Sequence, residues 1–195
     1  DTGPPKQLLN AYGPTETTTF ACTYRLTALH ESMTTIPIGR PISNTRVYLL
    51  DRHLEPVPIG IPGEVYIGGD GVARGYLHRP QLSAATFLPD PYAARPDAMM
   101  YRTGDLARYR DDGNIEYLGR IDQQVKLRGF RVEPGEIEAL LCQHVGVQEA
   151  VVVVSTDALG ARRLVAYVVA RAGLAAGAAE LKTYLRHKLP EYMVP

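Results

Sequence analysis

The sequence has no surplus of charge of either sign: 21 Lys and Arg residues balance 21 Asp and Glu residues. A polyanionic duplex is held by clustered cations, so this balance argues against a nucleic-acid partner. Cysteine is scarce. Cys22 and Cys142 stand far apart and match no metal-ligand spacing, which argues against a thiolate site or a disulfide scaffold. Two thiols and no secretion signal fit a reducing, cytoplasmic setting. The longest apolar runs, around Ala150–Val154 and Leu164–Ala170, are too short to cross a bilayer. They read as buried strands, and no membrane partner is expected. The histidines (His30, His53, His78, His144 and His187) are scattered, without a carboxylate or thiol arrangement for a metal or a hydrolytic triad. There is no Gly-X-Ser-X-Gly nucleophile elbow and no internal repeat.

What is present describes a folded protein. The length of 195 residues lies between one large domain and two small ones, and a hydrophobic share of 45% is ordinary for globular chains. The opening Asp1-Thr2-Gly3-Pro4-Pro5 and the closing Leu189-Pro190-Glu191-Tyr192-Met193-Val194-Pro195 both read as cuts inside a longer polypeptide.

Residues 8–26 read as strand, turn, strand, broken at Gly13-Pro14. Arg46–Leu50 and Glu64–Ile67 form β-type runs joined by Pro and Gly, a meander of antiparallel strands. Gln81–Phe87 suits one or two helical turns, ended by Pro89 and Pro91. Asp111-Asp112-Gly113-Asn114 places a hairpin between Met99–Tyr109 and Asn114–Leu118. Residues 1–121 are therefore expected to be β-rich and barrel-like. Beyond Asp122 come short strands at 124–127 and 130–132, then a helix from Pro134 with Ile137, Leu140, Leu141 and Val145 at helical spacing. Two strands, a turn near Gly160 and a helix over 178–188 complete a small α/β lobe, 122–195. Leu181, Tyr184, Leu185 and Leu189 form the apolar face of that last helix, and residues 172–179 an Ala/Gly-rich linker. The fold class is α/β, a β-rich lobe followed by a small α/β lobe.

Three segments can carry chemistry. In Asn10-Ala11-Tyr12-Gly13-Pro14-Thr15-Glu16-Thr17-Thr18, a tight turn presents a hydroxyl beside a carboxylate. Such a pair can donate to a phosphate oxygen and ligate Mg²⁺, with the Tyr12 ring offering a flat face to a base. In Tyr101-Arg102-Thr103-Gly104-Asp105-Leu106, the glycine permits close backbone approach and the aspartate can accept from both hydroxyls of a ribose. The third, Tyr117 to Glu138, places Arg120, a permanently charged fork, amid alternating charges. Taken singly, each segment is better explained by the plainer reading: an ordinary turn, a solvated bend and a charged surface. Gly63–Gly75 lacks the Lys-Ser/Thr of a P-loop and reads as turns between strands.

The order of these segments is more specific than any one of them. Asn-Ala-Tyr-Gly-Pro-Thr-Glu is followed by Gly-Arg-Pro-Ile (39–42), Gly-Glu-Val-Tyr-Ile-Gly-Gly (63–69) and Gly-Tyr-Leu (75–77) with Arg79-Pro80. Tyr-Arg-Thr-Gly-Asp-Leu and Gly-Arg-Ile-Asp-Gln-Gln-Val-Lys-Leu-Arg-Gly-Phe-Arg-Val-Glu-Pro-Gly-Glu-Ile-Glu complete the series. Together they resemble the later core motifs of adenylation domains, in the superfamily shared by acyl-CoA synthetases, luciferases and nonribosomal peptide synthetases. Phe87-Leu88-Pro89-Asp90-Pro91 and the Arg-Gly-Phe-Arg-Val-Glu wording look like the peptide synthetase branch.

The resemblance implies an ATP-dependent adenylate-forming ligase. An amino-acid carboxylate would attack the α-phosphate of ATP, Mg²⁺-pyrophosphate would leave, and the acyl group would pass to a carrier-domain phosphopantetheine thiol. By matching position, Thr15 would contact phosphate, Glu16 would bind Mg²⁺ and Tyr12 would pack on adenine. Asp105 would hold the ribose, Tyr117 would line the nucleotide pocket, and Arg120 would reach the ribose–phosphate edge. Asp122 would be the hinge of the small lobe, and Gly129 with its neighbours would face the site during thiol transfer. Ala11, Thr19 and Phe20 align with the amino-acid pocket. The implied partners are the amino acid, a peptidyl carrier domain and neighbouring synthetase domains. The family's phosphate loop belongs before Asp1 and its catalytic lysine just past Pro195, so these residues alone are expected to lack adenylation activity. The Leu8–Leu26 stretch, without an upstream sheet, is expected to be frayed or exposed. A fragment of an acyl-CoA ligase, and a nucleotide-binding or interaction module without catalysis, are the competing expectations.

Overall fold

The structure is a computed structural model that describes residues 3, 5–28, 35–122, 124–127, 130–157, 161–174 and 176–195, without the side chains of Lys126 and Arg131. Gly129, the Arg128-Gly129 turn and the turn near Gly160 lie outside the described residues. The chain divides into two compact units, Asp1–Asp122 and Gln123–Pro195. The expected mixture of strands and helices, rich in strand, is found.

The first unit holds two antiparallel sheets. β1 (Leu8–Tyr12), β2 (Cys22–Leu26) and β3 (Arg40–Pro41) form a three-stranded sheet in that order. Leu8 and Leu9 on its edge are exposed. The larger sheet contains β4 (Thr45–Leu50), β5 (Gly63–Gly69), β6 (Phe87–Pro89), β7 (Met99–Tyr109) and β8 (Ile115–Arg120). β7 is its spine: β5 pairs along one edge, while β6 and β8 share the other. Register shifts at Glu64/Tyr66 and at Leu106/Ala107 let the sheet curl, because an extra residue on one strand deepens the local twist. β4 alternates Val47 and Leu49 toward one cluster, with Ala21, Cys22, Val65, Ile67, Ala107 and Ile115. Its Tyr48 and Leu50 face a second cluster with Tyr66 and Met100. β4 is thus covered on both faces.

Two expectations are corrected here. The strand expected at Glu64–Ile67 is found, but it extends through Gly63, Gly68 and Gly69, where turn is expected. Its glycines serve close approach: a Cβ on Gly68 would stand 2.5 Å from Asp90 Oδ2, and one on Gly69 2.2 Å from the Asn44 carbonyl. The helix α1 (Pro80–Thr86) stops because Phe87 turns extended and pairs with Tyr101 on β7, so Pro89 lies in a strand and does not end the helix.

The second unit opens with the hairpin β9 (Val125–Leu127) and β10 (Phe130–Val132), followed by α2 (Pro134–Cys142). Proline stands at the first helical position, where its missing N–H has no intrahelical partner to lose. Pro134, Ile137 and Leu141 make the buried stripe, whereas Val145 lies past the helix end and is 64% exposed. β11 (Val147–Thr156) and β12 (Arg162–Ala170) pair as a two-stranded ribbon. These runs are buried on one face only. Val152 and Leu164 enter the core, while Val151, Val153, Tyr167 and Val169 are exposed on the other face. α3 (Ala178–Arg186) places Leu181 and Leu185 in the same core, with Tyr184 packed at its margin and Leu189 just beyond. No helix among the described residues is long and apolar enough to cross a membrane.

Candidate nucleotide site

The site is built on β7, whose period of two sets Tyr101, Thr103 and Asp105 on one buried face. Asp105 is 7% exposed, yet its carboxylate is well provided for. The Tyr12 hydroxyl donates a hydrogen bond to Asp105 Oδ2, and Arg120 Nη1 donates to Oδ1 at 2.8 Å. Tyr12 comes from β1, 93 residues earlier, and Arg120 from the end of β8, which pairs directly opposite Asp105. Thr103 holds the strand between them: its hydroxyl donates to the Val65 carbonyl at 2.8 Å and accepts the Asp105 N–H at 2.9 Å. Burial foremost, then the Asp105 charge, raises the Tyr12 pKa well above its ordinary 10.0. The phenol is therefore a permanent donor. The Tyr117 ring lies 6.3 Å from that of Tyr12, tilted, and its hydroxyl is also shifted upward by desolvation and Asp105.

Arg120 is doubly committed. Its Nε and Nη2 grip Asp122 Oδ1 and Oδ2, both at 2.6 Å, and Nη2 also donates to the Thr103 carbonyl at 2.9 Å. With the bond to Asp105, four of the five guanidinium N–H groups meet described residues. A phosphate or ribose edge reaching Arg120 has to compete with Asp122, whose side chain is half exposed while that of Arg120 is largely buried. Gly104 makes this packing possible. Its φ is +72°, and a Cβ there would stand 2.6 Å from Asp122 Oδ2 and 2.8 Å from Arg120 Nη2.

The hairpin from Asn10 to Thr19 supplies the other groups. Gly13 lets it close, since a Cβ would meet Ala21 N and the Thr19 carbonyl, both at 2.6 Å. Thr15–Thr17 form a single 3-10 turn, after which Thr18 and Thr19 adopt φ of 63° and 71°. Two successive β-branched residues in the left-handed region are strained by about 1–3 kcal/mol each, a strain that persists only where surrounding bonds hold it. Here Thr18 Oγ1 donates to the Gly71 carbonyl at 2.8 Å, and Ala73 N donates to the Glu16 carbonyl at 2.8 Å. Thr15 is exposed on the turn, and Glu16, half buried, accepts from the Tyr76 hydroxyl at 2.7 Å. Ala11, Thr19 and Phe20 are exposed, with Ala11 opposite Thr23 across the ladder.

The structure therefore brings Tyr12, Asp105, Tyr117, Arg120 and Asp122 into one cluster. It sets Thr15 and Glu16 on the same hairpin as Tyr12, in contact with the 71–76 segment. Thr103 and Tyr76 join them; sequence reasoning assigns neither a role, although both stand inside legible motifs. No group of three or more His, Cys, Asp or Glu side chains that could hold a metal occurs among the described residues. A lone half-buried carboxylate suits Mg²⁺ that arrives with nucleotide phosphates and keeps several waters, which is how that ion is commonly held. Glu16 fits that demand.

Residues 1–77 match the family described as AMP-binding enzyme, and residues 136–195 match the AMP-binding enzyme C-terminal domain. This chain belongs to the AMP-binding enzyme family. Tyrocidine synthase 3 of Brevibacillus parabrevis is 53% identical over 192 residues, covering 98% of this chain and 3% of that protein. The dimodular nonribosomal peptide synthase of Bacillus subtilis (strain 168) is 53% identical over 187 residues, covering 95% and 8%. Among solved structures, PA1221, an NRPS protein containing adenylation and PCP domains, superposes with a TM-score of 0.79 at 33% identity. That match covers 97% of this chain and 37% of the other. The chain thus spans a small fraction of its curated relatives' length. The resemblance to peptide synthetase adenylation domains is borne out.

Proposed function

We propose that these residues form the later part of an adenylation domain, which activates an amino acid with ATP and passes it to a carrier-domain phosphopantetheine thiol. The observation that carries the reading is the grip of Tyr12 and Arg120 on Asp105, which unites three motifs spread over more than half of the chain. The names of the relatives and the adenylation–PCP neighbour support the same direction.

In this reading Asp105 accepts the two ribose hydroxyls, because each carboxylate oxygen offers two acceptor positions and the described donors take one on each. Tyr12 and Tyr117 present ring faces to the adenine, and Thr15 donates to phosphate. Mg²⁺ held by Glu16 would neutralise charge on the departing pyrophosphate. The amino-acid carboxylate attacks the α-phosphorus in line, the bond to the bridging oxygen breaks, and pyrophosphate leaves with that electron pair. Arg120 exchanges part of its bond to Asp122 for the ribose–phosphate edge, which would free Asp122 to act as the hinge. Ala11, Thr19 and Phe20 line the amino-acid end. Use of ATP and the free thiols Cys22 and Cys142 fit a cytoplasmic setting.

Asp105→Ala in the complete adenylation domain tests this. AMP affinity by calorimetry is expected to fall at least tenfold and ATP–pyrophosphate exchange to collapse, since two charge-assisted bonds of about 1.5–3 kcal/mol each are removed. Parental AMP affinity in that variant would remove the central support.

A further inference from the structure

Tyr76 has no role in the function proposed above, yet the fold holds it from several sides. Its hydroxyl donates to Glu16 Oε1 at 2.7 Å across 60 residues. The Tyr101 phenol, buried on the Asp105 face of β7, neighbours the same hydroxyl. The Tyr76 ring meets Phe87 edge-on at 5.4 Å, and Phe87 in turn meets Tyr101 at 5.2 Å.

The backbone is braced as well. Gly75 has a φ of +138°, and a Cβ there would stand 2.8 Å from Ser83 Oγ. Ser83 Oγ accepts the Tyr76 N–H at 2.8 Å and donates to the Arg79 carbonyl at 2.8 Å. α1, which carries Ser83, buries none of its own side chains, so this brace is a main structural contribution of the helix.

We propose that Tyr76 is a positioning residue that orients the Glu16 carboxylate toward a nucleotide-borne divalent cation, with Tyr101 holding Tyr76 in turn. The terminal torsion of a glutamate is broad, so an unsupported carboxylate samples many directions. A bond to Oε1 selects one plane and thereby directs Oε2. A phenol does this without cancelling the charge, whereas Lys or Arg in its place would compete with the cation. β7 therefore holds the hairpin at two points, Tyr12 through Asp105 and Glu16 through Tyr101 and Tyr76. The inference rests on the reading of Glu16 as the Mg²⁺ ligand.

The test compares Tyr76→Phe, Tyr101→Phe, Glu16→Gln and the Tyr76→Phe/Glu16→Gln pair in the complete adenylation domain. Mn²⁺ affinity is read by electron paramagnetic resonance with a non-hydrolysable ATP analogue, alongside the Mg²⁺ dependence of ATP–pyrophosphate exchange. Tyr76→Phe keeps the ring contacts and is expected to weaken Mn²⁺ about tenfold, as loss of a ligand's orienting partner does, with exchange restored by excess Mg²⁺. Glu16→Gln weakens Mn²⁺ further, and the pair loses no more than Glu16→Gln alone. Should Tyr76→Phe melt early, Tyr101→Phe carries the same test, with a smaller loss of Mn²⁺ affinity expected. Parental Mn²⁺ affinity in Tyr76→Phe beside a weakened Glu16→Gln overturns the role of Tyr76, as does a loss of exchange that excess Mg²⁺ leaves unrepaired. Parental affinity in Glu16→Gln overturns the underlying reading instead.

Discussion

Gly104→Ala separates the packing of Arg120 against Asp122 from ordinary backbone strain. An L-residue in the left-handed region costs roughly 1–2 kcal/mol, and Gly104 sits there with φ +72°. The added Cβ also arrives 2.6 Å from Asp122 Oδ2 and 2.8 Å from Arg120 Nη2. The half-exposed Asp122 side chain can swing aside, which forfeits about 0–1 kcal/mol for a solvent-facing pair, whereas the largely buried guanidinium has to shift. The sum is about 1–3 kcal/mol, a fall in melting temperature of roughly 2–12 °C for a chain of this size. Gly119→Ala is the control. Its φ is +131° with nothing within 4 Å of a new Cβ, so it adds strain without crowding. Thermal melting should show both variants destabilised, Gly104→Ala more so. Calorimetry on the complete domain should show AMP affinity reduced about tenfold in Gly104→Ala, equivalent to ~1.4 kcal/mol, and little changed in Gly119→Ala. Parental AMP affinity in Gly104→Ala would refute the view that this arginine–aspartate packing shapes the nucleotide site.

Three further outcomes follow from burial. Asp90 has no side-chain exposure and accepts from Arg46 Nη2 at 3.2 Å, the Tyr48 hydroxyl at 3.1 Å and Tyr92 N at 3.0 Å. Asp90→Ala should cost about 2–3 kcal/mol in denaturant unfolding, while Arg46→Ala, whose side chain is half exposed, should leave the buried carboxylate in need of a partner and cost a similar amount. Burial pushes the Cys22 thiol from 9.0 up to about 12 and the Tyr66 phenol from 10.0 up to about 12. Both raised pKa values favour the protonated folded form, so their stabilisation is complete below pH 9 and is lost as pH rises toward 12. Urea midpoints from about pH 8 to 12 should decline across that window. A thiol reagent at about pH 8 should label the exposed Cys142 and spare Cys22 until the protein unfolds.

Most of the candidate site is legible in the sequence because its polar groups are concentrated in short, contiguous words. Tyr12, Asp105 and Arg120 each stand out within such a word, and the structure joins all three through one carboxylate. Tyr76 lies inside a motif but carries no signal of its role, because its partner Glu16 is 60 residues away and nothing local marks a tyrosine as an orienting donor. Among the elements, the meander and the hairpin at Asp111–Asn114 are legible from alternation and turn residues. The end of α1 is not, because proline is tolerated in β6, where it pairs only through β7's edge. Val145 matches the helical period, yet the helix has already stopped at Cys142. Apolar runs at 150–154 and 164–170 suggest burial on both faces, but periodicity does not reveal how many layers cover a strand.

The alternation along β7 also fixes where this protein can tolerate a change in length. Tyr101, Thr103 and Asp105 act from a common side of a pleated strand, so one residue inserted between Tyr101 and Thr103 would invert Tyr101 relative to the other two. The phenol chain and the carboxylate grip would then be out of phase, with every individual side chain still present. Extra residues in the turn at 110–114 leave that phase untouched, which makes the tip of the hairpin, rather than its stem, the place where length can drift.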